Sequence, residues 1–300
     1  MVSFLRRLGL LLLDIIVFVL IFAAIAYSLT LLFNLVYDYP EEGKDIKYDP
    51  IFWLHSYTPL AFAAVGATWI VHSKIFRRPF KSTGLLFNNF LKDYSLGFVL
   101  GVLLISLGFL ILRLLGYLDI LEYHPILSTI LLFFIFFIFQ SFFEEVAFRS
   151  YLMPAIEERF GLWAALIISS VLFMAIHLSN NNIGIVGVSN IFLAGLLLGL
   201  IFIKYDNVWA ASGFHCSWNY FQSTIFGFEV SGERMFSFIE TEEVGPDLIT
   251  GGAFGFEGSI LSLVFLIVLI LYYFTKDDFV KSRLRGDRNN INFEFENETV

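Results

Sequence analysis

Residues 125–149 read PILSTILLFFIFFIFQSFFEEVAFR. The run is predominantly apolar over about the 20 residues that a helix needs to cross a bilayer. It closes on three charged residues, Glu144, Glu145 and Arg149. The rest of the chain has the same character. Of 300 residues, 58% are hydrophobic and 15% charged, 37 are Phe, and the mean hydropathy is +0.77. A soluble protein of this length is not so apolar. The composition therefore predicts an all-α, polytopic membrane helix bundle. The single cysteine, Cys216, excludes an intrachain disulfide.

Working outward, hydropathy predicts eight spans, at 8–36, 51–73, 94–117, 125–148, 162–179, 183–204, 208–226 and 257–274. Arg6 and Arg7 precede a first apolar run that continues past the small-residue triplet Ala24-Ile25-Ala26, so that run is expected to be a retained helix and not a cleaved signal. Basic residues gather at one set of span ends: Arg6 and Arg7, Lys74 to Lys81, Arg159, Lys204, and Lys276 to Arg288. The other set, Asp38 to Asp49, Asp119 to His124, Asn180 to Asn182 and Phe228 to Phe256, is acidic or neutral. The positive-inside rule then puts both termini in the cytoplasm. Residues 1–275 form one integral membrane catalytic domain in this reading, and 276–300 a polar, flexible cytoplasmic tail. A glycosylation sequon at Asn297-Glu298-Thr299 would be out of reach of its enzyme there.

An ionisable group inside a membrane helix costs a few kcal/mol or more, so each one needs a reason. Glu144, Glu145 and Arg149 are one such set, His177 is a second, and His215 with Asn219 a third. Asp14, near the start of the first span, is expected to be solvated. Glu145 and Arg149 are four apart on one helical face, a spacing that predicts an ion pair. Glu144 is five residues from Arg149, about 140° round the helix, and is expected to have no partner on its own helix. Such a carboxylate in an apolar cavity suits a general base. Glu144 and His177 are placed symmetrically about the turn at Phe160-Gly161, so two continuous helices would bring them to one depth. His215 and Asn219 share a face and can look into one cavity.

These residues resemble the CAAX-protease and bacteriocin-processing family of intramembrane peptidases, which includes prenyl-protein endopeptidases. Its motifs read here as Glu144-Glu145-Val146-Ala147-Phe148-Arg149, Phe173-Met174-Ala175-Ile176-His177 and His215-Cys216-Ser217-Trp218-Asn219. Ser150 stands where many bacterial members have Gly. The resemblance implies an endopeptidase acting on membrane-associated peptides or lipidated C-termini. Glu144 would activate water, His177 would help hold it, and His215 and Asn219 would donate to the oxyanion. Glu145 and Arg149 would shape the site. Zinc held by Glu144, His177 and His215 is one possibility. The motifs supply no compact ligand cluster, which favours a metal-free glutamate mechanism.

The bilayer and a peptide substrate are the expected partners, with no nucleic acid, and a bacterial cytoplasmic membrane (or endoplasmic reticulum in a eukaryote) is the expected home. Phe173 is expected to be cavity wall. Cys216 cannot form a dyad with His215, because helix neighbours diverge by about 100°. His55, His72 and His124 are expected to be exposed, and the 228–257 loop to be either a cover for the site or a solvated acidic segment. The alternatives are a non-catalytic protein of the same fold, such as a bacteriocin-immunity factor or assembly partner, and a proton-coupled transporter. No repeat and no Gly/Pro-broken pair of spans supports the transporter.

Overall fold

The computed structural model describes residues 2–36 and 46–285. Residues 38–45 of the acidic segment, Arg288 and the sequon at 297–299 lie outside the described residues. The chain is an all-α membrane bundle: α1 (Val2–Phe33), α2 (Pro50–Thr68), α3 (Phe90–Leu114), α4 (Leu127–Glu145), α5 (Met153–Phe160), α6 (Leu162–Ile176), α7 (Ile185–Tyr205), α8 (Trp209–Tyr220), the short α9 (Asp247–Thr250), α10 (Ile260–Thr275) and α11 (Asp278–Arg285). Three of these runs extend into π-helical turns, at Trp69–Ile75, Val146–Leu152 and Phe221–Ile225.

Local chemistry explains the breaks. Asp49 caps α2, its Oδ1 accepting from Ile51 N at 2.9 Å, and Pro50 takes the first helical position, where a missing N–H costs nothing. Gly161 turns α5 into α6 at φ 85°, a conformation that disfavours a side chain. Ser259 caps α10 by accepting from Ser262 N.

Among the described residues, four helical runs are long and apolar enough to cross a membrane: Phe4–Phe33, Phe90–Leu114, Leu127–Phe160 and Ile185–Tyr205. A fifth counts if the bent pair α10–α11 is one span. A helix occupies each of the eight expected places, but α6 has 15 residues and α8 only 12 before its π-helical end. Both are shorter than an independent span requires.

The bundle is tightest where α3 meets α8. A Cβ on Gly97 would overlap the carbonyl of Ala210, and one on Gly213 that of Tyr94. In lipid, where burial of apolar surface does not drive helices together, such close backbone approach is a main source of packing energy. Every residue of α8 is buried. By contrast α1 leaves Leu20, Tyr27 and Leu32 exposed, as a lipid-facing helix should.

Several expectations are corrected here. Asp14 is fully buried, not solvated, and is paired with Arg78 and Arg159 and bonded to the Tyr151 hydroxyl. Its partners come from distant elements, which its own helix could not reveal. His55 and His72 are buried as well, His72 Nε2 lying 2.8 Å from Ser82 Oγ. The acidic segments between the spans are not simple loops. Strand β1 (Leu118–Tyr123) pairs antiparallel with β2 (Ile239–Glu243), with a bulge between Ile120 and Glu122. Nor is the start of the tail free: α11 buries Val280 and Leu284, and Asp277 pairs with Lys204 at 3.1 Å.

Candidate active site

The backbone of α4 widens just after the two glutamates. A π-helical turn is strained relative to an α-helix and recurs at functional positions. From within it, Arg149 reaches back to Glu145, Nη1 to Oε1 at 3.0 Å, and its Nη2 donates to the Gly195 carbonyl of α7 at 3.1 Å. Both side chains are enclosed, Arg149 at 1% exposure and Glu145 at 0%. The same Glu145 Oε1 lies 2.9 Å from Nδ1 of His215 on α8. Glu145 therefore does more than balance Arg149: it also fixes the His215 ring.

Glu144 differs from expectation. Gln140, one turn earlier on the same face, donates Nε2 to Glu144 Oε1 at 2.6 Å, so Glu144 has a partner on its own helix. Its second oxygen does not. Oε2 is buried without a hydrogen-bond partner among the described residues, and His215 Nε2 stands 3.8 Å away, too far for a hydrogen bond. Asn219, one turn beyond His215 on α8, donates Nδ2 to Gln140 Oε1 at 3.1 Å. Asn219, Gln140 and Glu144 thus form a chain of hydrogen bonds ending on one carboxylate oxygen.

His177 ends α6. Its Nδ1 lies 2.7 Å from the Phe173 carbonyl, which can only accept, so Nδ1 carries the proton and Nε2 is left free for other partners. The Phe173 ring sits 4.7 Å from the His177 ring and 6.2 Å from that of His215, with the Arg149 guanidinium 4.6 Å from its centroid. It is a wall that also stacks the charged group behind the site.

Glu144, Phe173, His177, His215 and Asn219 all line one cavity of about 450 Å³. Trp53, Tyr57, Phe136, Phe137 and Phe143 form an aromatic side of it, and Asn180, Asn181, Ser231, Glu233 and Glu257 a polar side. The structure thus brings together the members of all three motifs, with Glu145 and Arg149 directly behind.

The zinc arrangement fits less well. Among the described residues, the one group of three or more His, Cys, Asp or Glu whose ligand atoms all come within 4.8 Å of one another is Glu122, His124 and Glu240, on the β-ribbon. Glu144, His177 and His215 do not converge in this way.

Residues 125–221, roughly a third of the chain, match the family model for Rce1-like type II CAAX prenyl endopeptidases. The matched stretch contains all seven motif residues from Glu144 to Asn219. This segment is therefore similar to the CAAX-protease family. No curated protein and no solved structure matches the chain.

Two site residues escaped the motif reading. Gln140 had a signal available, a lone amide one turn before Glu144 in an apolar helix. Glu257 stands among many acidic residues of the 228–257 segment, and no spacing distinguishes it.

Proposed function

We propose that the chain is an intramembrane endopeptidase that hydrolyses a peptide bond of a membrane-associated peptide, with Glu144 as general base. The observation that carries this reading is the unpaired, buried Glu144 Oε2, facing His215 in a cavity that also contains His177 and Asn219. A buried carboxylate oxygen without a partner is costly, and one that accepts a proton from water supplies a reason for the cost.

In this mechanism water is deprotonated by Glu144 and attacks the peptide carbonyl carbon. Gln140 holds the other oxygen and so aims the base. The oxyanion receives hydrogen bonds from the second N–H of Asn219 and from Nε2–H of His215 as the imidazolium, whose Nδ1–H is taken up by Glu145. On collapse, the proton passes from Glu144 to the departing amine, and the C–N bond breaks. His177 Nε2, left free by the contact of Nδ1 with Phe173 O, would accept from the same water. The aromatic side of the cavity would receive an apolar or lipid-modified part of the substrate. No step is routed through a metal.

The test is hydrolysis of membrane-anchored peptides, one of them prenylated, by the purified protein in liposomes before and after exhaustive chelation. Cleavage that survives chelation is expected. Activity lost with stoichiometric zinc and restored on its return would refute the metal-free mechanism. A folded preparation that cleaves no member of a broad peptide library would refute the peptidase.

A further inference from the structure

Glu257 belongs to neither the family motifs nor the matched segment, yet it lines the same cavity as Glu144. It sits in a short 3₁₀ turn, Phe256–Gly258, leading into the Ser259 cap of α10. That turn is fixed from α7: Asn190 Nδ2 donates to the carbonyls of Glu257 and Ser259, at 2.7 and 2.8 Å. The carboxylate is fixed as well, its Oε2 accepting from both Ser231 N and Ser231 Oγ at 3.0 Å. Only 9% of the residue is exposed, and the hydrogen bonds of its carboxylate among the described residues fall on Oε2. A buried carboxylate anchored at one oxygen and open at the other is built to receive a donor.

The charges around the cavity indicate the sign of that donor. The described lining of the cavity holds Glu144, Glu233 and Glu257 and neither Lys nor Arg, with the ionisable imidazoles of His177 and His215 beside them. Glu233 is held by Asn181, Nδ2 to Oε1 at 2.7 Å, on the same polar side. Arg149 is tied to Glu145 and Gly195 and does not line the cavity. A free peptide C-terminus entering here would meet carboxylates in a low-dielectric setting, whereas a cation would be attracted to them.

We infer that Glu257 is a specificity residue that makes the site select peptides with a lysine or arginine side chain within a few residues of the scissile bond, its Oε1 receiving that side chain. This rests on the peptidase reading of the site and deepens it. The preferred substrate is then cut beside a basic residue.

The experiment uses membrane-anchored peptides that differ only in Lys, norleucine or Glu at successive positions around the cut, with free or amidated C-termini. The full-length protein in liposomes is expected to favour Lys over norleucine by about tenfold or more in kcat/KM at one position, with Glu poorest. In Glu257→Gln, whose amide oxygen still accepts from Ser231, that Lys-to-norleucine ratio is expected to fall to within about twofold of one. A second measurement needs no turnover: equilibrium binding of the same peptides to Glu144→Gln, with and without Glu257→Gln. The Lys preference in affinity should be present in the first and lost in the second. Equal use of Lys and norleucine by the wild-type chain overturns the inference, as does a Lys preference that survives Glu257→Gln in either assay. If no peptide is hydrolysed but the Glu257-dependent binding preference holds, the peptidase reading fails and the recognition site stands.

Discussion

Two clusters of buried charge sit in this bundle, and they are resolved in opposite ways. Around Asp14, the carboxylate accepts from Arg78, Arg159 and the Tyr151 hydroxyl, so both its oxygens are engaged, and it does not border the cavity. Around Glu144, one oxygen is held by Gln140 while the other is buried and unpaired against a cavity. Burial alone therefore does not mark chemistry. A cluster whose carboxylate is satisfied at both oxygens joins elements together, and here it ties α1 to α5 and to the segment after α2. A cluster with one valence left open toward a cavity is poised to act on something that enters.

Glu145 lies between the two types, and replacing it should have the largest combined effect. Glu145→Gln strands Arg149, and breaking a buried pair costs about 3–5 kcal/mol. It also loosens His215, so turnover per folded molecule should drop about 100-fold. Thermal unfolding and activity normalised to folded protein separate the two losses. The double change Glu145→Gln with Arg149→Met should recover part of the stability but none of the turnover. Full recovery of turnover would mean that Glu145 serves only Arg149.

Asp14→Asn should lower stability by less than the ~3–5 kcal/mol of a fully broken buried pair, because Glu158 still pairs with both Arg78 and Arg159. Activity per folded molecule should stay within about threefold of wild type. A stable but inactive Asp14→Asn protein would erase the contrast between the clusters.

The smallest effect is expected in the β1–β2 ribbon. Burial pushes the Glu243 carboxyl up from 4.5 to about 7. Between those values the unfolded chain has released this proton and the folded chain keeps it. The folded state then binds more protons, so stability falls as pH rises through this window and levels off above it. Thermal unfolding followed from about pH 5 to about pH 8 should show that decline, weakened in Glu243→Gln. A Glu243→Gln profile as steep as wild type would reassign the slope to other groups.

How much of this could be read beforehand follows the range of each interaction. The Glu145–Arg149 pair, the His215–Asn219 face and the turn at Gly161 are set within a few residues, and helical periodicity reveals them. The membrane class follows from composition. Asp14 was misread because its partners lie far along the chain, and position near a span end is a poor guide to solvation. The ribbon was missed for the same reason: Leu118 meets Glu243 across more than a hundred residues, and neither strand alternates cleanly. Gln140 was overlooked because one amide hardly alters the hydropathy of an apolar run. The anchoring of Glu257 depends on Ser231 and Asn190 meeting at one turn, which only the folded chain displays.

The central claim is that the open oxygen of Glu144 is the base, and one substitution tests it most directly. Glu144→Gln retains the side chain's volume and can still be held by Gln140, but it cannot take a proton from water. Initial rates of peptide hydrolysis should be measured on folded Glu144→Gln and wild-type protein in the same liposomes, each normalised to folded protein. A loss of at least about 100-fold in kcat, with thermal stability nearly unchanged, is the predicted result. Near-normal turnover by a well-folded Glu144→Gln preparation would contradict it.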